Sequence, residues 1–121
     1  LAEADRRFRL VMPCREGEVV SIAAGLWVGH RRPLVFIQNT GLLECGDALR
    51  VVLHNMSVPL VMLLGYRGRA SMATARPDTA ATLLEPTLSA WSVPWEWYRD
   101  DALVGAFDRG PLALVYEGKL Q

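Results

Sequence analysis

Two carboxylates stand two residues apart in CREGEVVSIAAG, from Cys14 to Gly25, where an apolar run gives way to a helical pattern. On a helix, Glu16 and Glu18 point about 200° apart. Glu16 shares its face with Val19, Val20, Ala23 and Trp27, whereas Glu18 shares its face with Ser21, Ile22, Gly25 and Gly29. A carboxylate set against apolar side chains tends to keep its proton to higher pH. Such a group can share a proton with a ring nitrogen as well as attract a cation. A first-turn glutamate that simply favours the helix dipole accounts for the same residue, and on spacing alone that is the commoner case.

Two further segments gather polar side chains after apolar runs. In VFIQNTGLLECGDAL, Gln38, Asn39, Thr40 and Gly41 follow a buried-strand pattern. The carboxyl end of a strand is where open α/β sheets bind ligands, yet Asn, Thr and Gly are also ordinary turn residues. In VPLVMLLGYRG, Arg67 emerges after a third apolar run, next to Gly68. Its guanidinium suits bidentate contact with an anionic substrate, and it equally suits a solvated loop. His30 and His54 fall near helix ends with no partners at metal-ligand spacing. Met56, Met62, Trp27 and Trp91 read as core or interface, and Asp47 as a solvated or interface charge.

These residues need a scaffold, and the apolar runs supply one. Phe8 to Pro13, Leu34 to Gln38, Leu60 to Gly65, Trp95 to Tyr98 and Leu112 to Tyr116 have strand length and composition. Four follow a proline (Pro33, Pro59, Pro94, Pro111), a residue tolerated at the first position of a strand. The run VMLL has no polar face, as expected of a strand covered on both sides. Helical patterns lie between the runs, at Glu16 to Gly29, Glu44 to Asn55, Thr79 to Trp91 and Asp100 to Arg109. The alternation β-α-β-α-β-α-β-α-β predicts a three-layer α/β domain over 1–121, with a mostly parallel sheet and helices on both faces. The longest loop, Arg67 to Asp78, follows the third run.

Composition narrows the function classes. Of 121 residues, 51% are hydrophobic and 21% charged, which is globular and not disordered. Thirteen basic residues balance thirteen acidic ones, so there is no electrostatic case for nucleic acid or an anionic membrane. No apolar run reaches membrane-spanning length, and the first ten residues lack the pattern of a signal peptide. Cys14 and Cys45 lack CxxC spacing. They are expected to be reduced thiols in a cytoplasmic protein, a single disulfide between them being the alternative.

The stretches REGEVVSIAAG, IQNTGLLEC and VPLVMLLGYRG, in this order, resemble the pyrimidine-binding domain of thiamin-diphosphate-dependent decarboxylases of the phosphonopyruvate and sulfopyruvate type. EPTLSAWSVPWEWY and GPLALVYEGKL are similar to that family's later helix, strand and last strand. The resemblance implies that Glu16 hydrogen-bonds the N1′ atom of the cofactor's aminopyrimidine and favours its imino tautomer. It implies that Gln38, Asn39, Thr40 and Gly41 line the pyrimidine or substrate side. It further implies a 2-oxo acid substrate of sulfopyruvate or phosphonopyruvate type, with Arg67 and Glu44 as candidate substrate-side residues. Thiamin diphosphate and Mg²⁺ would be the cofactors. No G-D-G motif for the diphosphate is present, the Gly46-Asp47 pair being followed by Ala48. The Mg²⁺ would therefore be held by a partner, either a diphosphate-binding domain or a β subunit, in a homodimer or hetero-oligomer.

Two departures stand out. Gly41-Leu42-Leu43-Glu44 replaces the family's G-L-G-N, and Glu44 would repel an anionic substrate. The family also carries one further βα unit before the strand ending at Pro13, whose absence would leave an unpaired sheet edge. Both motivate a second reading, a non-catalytic binding or regulatory subunit of a thiamin-diphosphate enzyme. A flavodoxin-like nucleotide-binding domain is a third, opposed by an acid at Glu16 where a phosphate loop would present backbone amides.

Overall fold

The computed structural model describes residues 7–117. Its centre is a four-stranded, all-parallel sheet in the order β1-β2-β4-β3. The strands are β1 (Leu34–Gln38), β2 (Val61–Gly65), β3 (Trp95–Trp97) and β4 (Leu112–Tyr116). β1 and β4 have the bounds expected from sequence, and each strand begins one or two residues after its proline. β2 is buried throughout, as its lack of a polar face requires.

Side chains alternate across the sheet. Val35, Ile37, Met62, Leu64, Ala113 and Val115 face the larger core. That core is roofed by α1 (Glu16–Val28), α2 (Asn39–Glu44), α3 (Gly46–Arg50), a π-helical turn at Val51–Asn55, and α4 (Thr79–Ala90). Val61, Leu63, Leu112 and Leu114 face a smaller core closed by Ala102 and Ala106. The two-sided cover follows from topology. The chain steps from β1 to β2 to β3 in one direction, then returns from β3 to β4 in the other. Right-handed crossovers put the returning connection on the opposite face.

Three sequence expectations are corrected. The expected strand at Phe8 to Pro13 does not form. Residues 9–13 have no regular structure, and Met12 is 78% exposed. A strand requires a neighbour for its backbone groups, and among the described residues this segment pairs with none. β1 is an edge strand, and Phe36 on it is 58% exposed. The expected helix at Asp100 to Arg109 is a series of turns ending in a 3₁₀ turn at Ala106–Asp108. Its apolar spacing is helical, but Gly105 sits at φ +73° and breaks the run. The second helix starts at Asn39 and not at Glu44, so the turn-forming residues are the first turn of a helix. Cys45 separates α2 from α3.

α4 begins where Asp78 Oδ1 accepts the Ala80 N–H at 2.9 Å, an N-cap of ordinary kind. Among the described residues, no helix is long and apolar enough to cross a membrane.

Candidate functional site

The first turn of α1 lies against one face of α2. Arg15, extended at φ −133°, is the N-cap position and provides no side-chain cap. The first N–H groups of a helix have no partner within it, and here the second helix supplies one. Glu44 Oε2 accepts the Gly17 N–H at 2.6 Å, and Glu44 Oε1 accepts from Arg15 Nη2 at 3.1 Å. The Cys45 thiol donates to the Glu16 carbonyl oxygen at 3.1 Å. Gly41 completes the contact, since a Cβ there would stand 2.6 Å from Glu16 Cγ. Residues 41, 44 and 45 share a helical face, and that face holds residues 15–17.

Glu16 itself is exposed, which corrects the expectation that its carboxyl is sheltered by apolar neighbours. Of the face expected to carry it, Val20 and Ala23 are buried, whereas Trp27 at the far end of α1 is 40% exposed. Glu16 sits at the first helical position, and the preceding segment, residues 9–13, forms no strand beside it. Among the described residues its carboxylate has no hydrogen-bond or ion-pair partner. Glu18 instead lines a shallow hollow with Arg15, Gly17, Ser21, Ile22 and Glu44.

The QNTG and YRG segments meet through Asn39. This residue is wholly buried, donates from Nδ2 to the Arg67 carbonyl oxygen at 2.8 Å, and accepts the Thr40 N–H on Oδ1 at 3.0 Å. Its amide is therefore used to tie β1 to the loop after β2. Gln38 and Thr40 are exposed at the same end of the sheet. Gln38 pairs in register with Gly65, which pairs with Tyr116. Arg67 extends into solvent, 3.8 Å from Asp78 Oδ2. Gly68 is required there, with φ +80° and Asp78 side-chain atoms 2.7 Å from where a Cβ would sit.

Sequence reasoning passed over Cys45, Arg15, Tyr66 and Asp78. The Gly41-x-x-Glu44-Cys45 spacing contained the signal for Cys45, because i, i+3 and i+4 share a face. Tyr66 is buried, donating to Glu85 Oε1 at 3.0 Å and stacking on Trp97. Burial, and then the hydrogen bond to Glu85, push its hydroxyl up to about 12. Arg69 lies over the Trp97 ring at 4.8 Å and pairs with Glu117 at 2.9 Å.

Burial, followed by the charges of Glu44 and Glu16, pushes the Cys45 thiol up to about 12. It therefore stays protonated, and a donor, well above neutral pH. Unfolding would expose a thiol of ordinary acidity, so this contribution to stability is present below about pH 9 and is lost as pH rises towards 12. At about pH 8 a thiol reagent is expected to modify exposed Cys14 quickly and buried Cys45 only after unfolding. Peptide mapping checks this; equal labelling rates on the two residues in native protein would contradict it.

Polar residues from three chain segments lie at the carboxyl ends of β1 and β2, the end of an open parallel sheet at which α/β domains generally bind ligands. In sequence, part of the chain is similar to phosphonopyruvate decarboxylases. It is 35% identical over 66 residues to the enzyme of Streptomyces hygroscopicus and 33% identical over 66 residues to that of Streptomyces viridochromogenes. Each match covers 54% of this chain, and the chain spans only 16% and 17% of the relatives' own lengths. No protein-family model matches it.

Proposed function

We propose that this chain is the aminopyrimidine-binding part of a thiamin-diphosphate-dependent 2-oxo-acid decarboxylase, and that Glu16 is the group that engages the aminopyrimidine. The observation that carries this reading is the Glu16 carboxylate, which has no partner among the described residues and stands over Gly41 on a backbone held at the Glu16 carbonyl and the Gly17 N–H, with the Arg15 side chain paired to Glu44. The relatedness to phosphonopyruvate decarboxylases supports the reaction class. Sulfopyruvate- or phosphonopyruvate-like acids are the substrate class.

The residues present fit the cofactor. A carboxylate with no partner among the described residues has capacity for a ring nitrogen, and Gly41 beneath it admits the close approach of the Glu16 side chain. When bound, thiamin diphosphate supplies the electron sink for decarboxylation. Glu16 holds a proton between its carboxylate and the ring nitrogen. Gly41 and the exposed Gln38 and Thr40 line the approach, while Asn39 contributes by fixing the Arg67 loop. Arg67, held only loosely by Asp78, is available to an anionic substrate. The partner, a diphosphate-binding domain or β subunit, holds Mg²⁺ and the diphosphate. Its surface excludes water from Glu16, which this chain alone leaves exposed.

The non-catalytic reading drew in part on Glu44 as a charge that would repel an anionic substrate. Its two oxygens are instead occupied by Arg15 and Gly17. Reconstitution with the diphosphate-binding partner, Mg²⁺ and thiamin diphosphate is expected to release CO₂ from sulfopyruvate or phosphonopyruvate. Cofactor binding without CO₂ release from any of a series of 2-oxo acids would favour the non-catalytic subunit.

A further inference from the structure

Glu16 stands between two residues that one carboxylate grips. Glu44 reaches Arg15 with one oxygen and the Gly17 N–H with the other. The ion pair to Arg15 contributes little alone, because both side chains are substantially exposed. The bond to Gly17 is different in kind. It is short and charge-assisted, it satisfies a first-turn N–H that the helix cannot, and it sets a negative charge at the positive end of α1. Cys45, the next residue, binds the Glu16 carbonyl oxygen from the same side. Gly41, one turn earlier, lets Glu16 Cγ lie almost on the α2 backbone.

We infer that Glu44 is a positioning residue for Glu16: it fixes the flanking residues so that only the Glu16 side chain remains free to meet the cofactor ring. This rests on the function proposed above and replaces a substrate-contact role for Glu44. Both oxygens of Glu44 are engaged by the protein, and its charge is partly offset by the Arg15 guanidinium. A residue acting this way changes the turnover step through geometry and leaves substrate affinity alone.

The test uses the intact protein with its partner, Mg²⁺ and thiamin diphosphate, and compares Glu44→Ala with Glu44→Gln. Gln keeps the reach and a neutral acceptor. Hydrogen–deuterium exchange of the peptide spanning 14–20, which needs no activity, is expected to quicken at Gly17 by about ten-fold or more in Glu44→Ala. It should quicken less in Glu44→Gln. Steady-state kinetics should show kcat lowered by about ten-fold in Glu44→Ala with KM unchanged, and partial recovery in Glu44→Gln. Unchanged Gly17 exchange in Glu44→Ala would overturn the inference. So would a change in KM with kcat intact, which marks a substrate contact. If the wild-type complex released no CO₂, the decarboxylase reading would fall, and the Gly17 exchange would still decide whether Glu44 holds this turn.

Discussion

Glu16→Gln is expected to lower decarboxylation by about 10²- to 10⁴-fold while leaving the fold intact. The size of the effect is that of removing a positioned proton-transfer group. Glutamine keeps the length and one oxygen but cannot share a proton with a ring nitrogen. Stability should move by no more than about 0.5 kcal/mol, because an exposed side chain without a partner among the described residues supports little. That separation is what makes the variant informative. A catalytic loss together with a large fall in melting temperature would point to a structural glutamate.

Gly41→Ala is expected to do nearly as much damage by a different route. The added methyl would stand 2.6 Å from Glu16 Cγ, and Gly41 is buried within α2, so one of the two must move. Glu16, at the exposed start of α1, is the freer. A shift of about 1 Å at a reacting group can cost about 10²-fold in rate, while overpacking costs about 1–3 kcal/mol. Gly25→Ala is the matched control. It adds the same methyl to α1 where nothing lies within 4 Å, and it should leave activity unchanged and raise helix stability by up to about 1 kcal/mol. CO₂ release and thermal melts on the two variants check the pair. Equal activity in both would show that contact with Gly41 does not set the position of Glu16.

The sheet was readable because each strand is a short apolar run after a proline, and Leu34–Gln38 and Leu112–Tyr116 form with the expected bounds. Phe8 to Pro13 has a similar composition but follows no proline and forms no ladder with the described strands, and strand formation depends on neighbours as well as composition. Asp100 to Arg109 has helical spacing, yet a single glycine at positive φ overrides it. At the site, the helical phase of Glu16 was legible, since it follows from spacing alone. The roles of Asn39 and Glu44 were not. Each depends on a residue 27 or 28 positions away, Gly17 for Glu44 and Arg67 for Asn39. Such partners become visible only once α1 packs on α2 and β1 lies beside β2.

The most direct test is proton exchange at C2 of thiamin diphosphate, followed by NMR in deuterated buffer with Mg²⁺ and the assembled protein, in the absence of substrate. Activation through the aminopyrimidine predicts exchange well above that of the free cofactor, and its loss in Glu16→Gln at unchanged cofactor occupancy. Fast exchange that survives Glu16→Gln, or no acceleration by a wild-type complex that demonstrably binds the cofactor, would contradict the role assigned to this carboxylate.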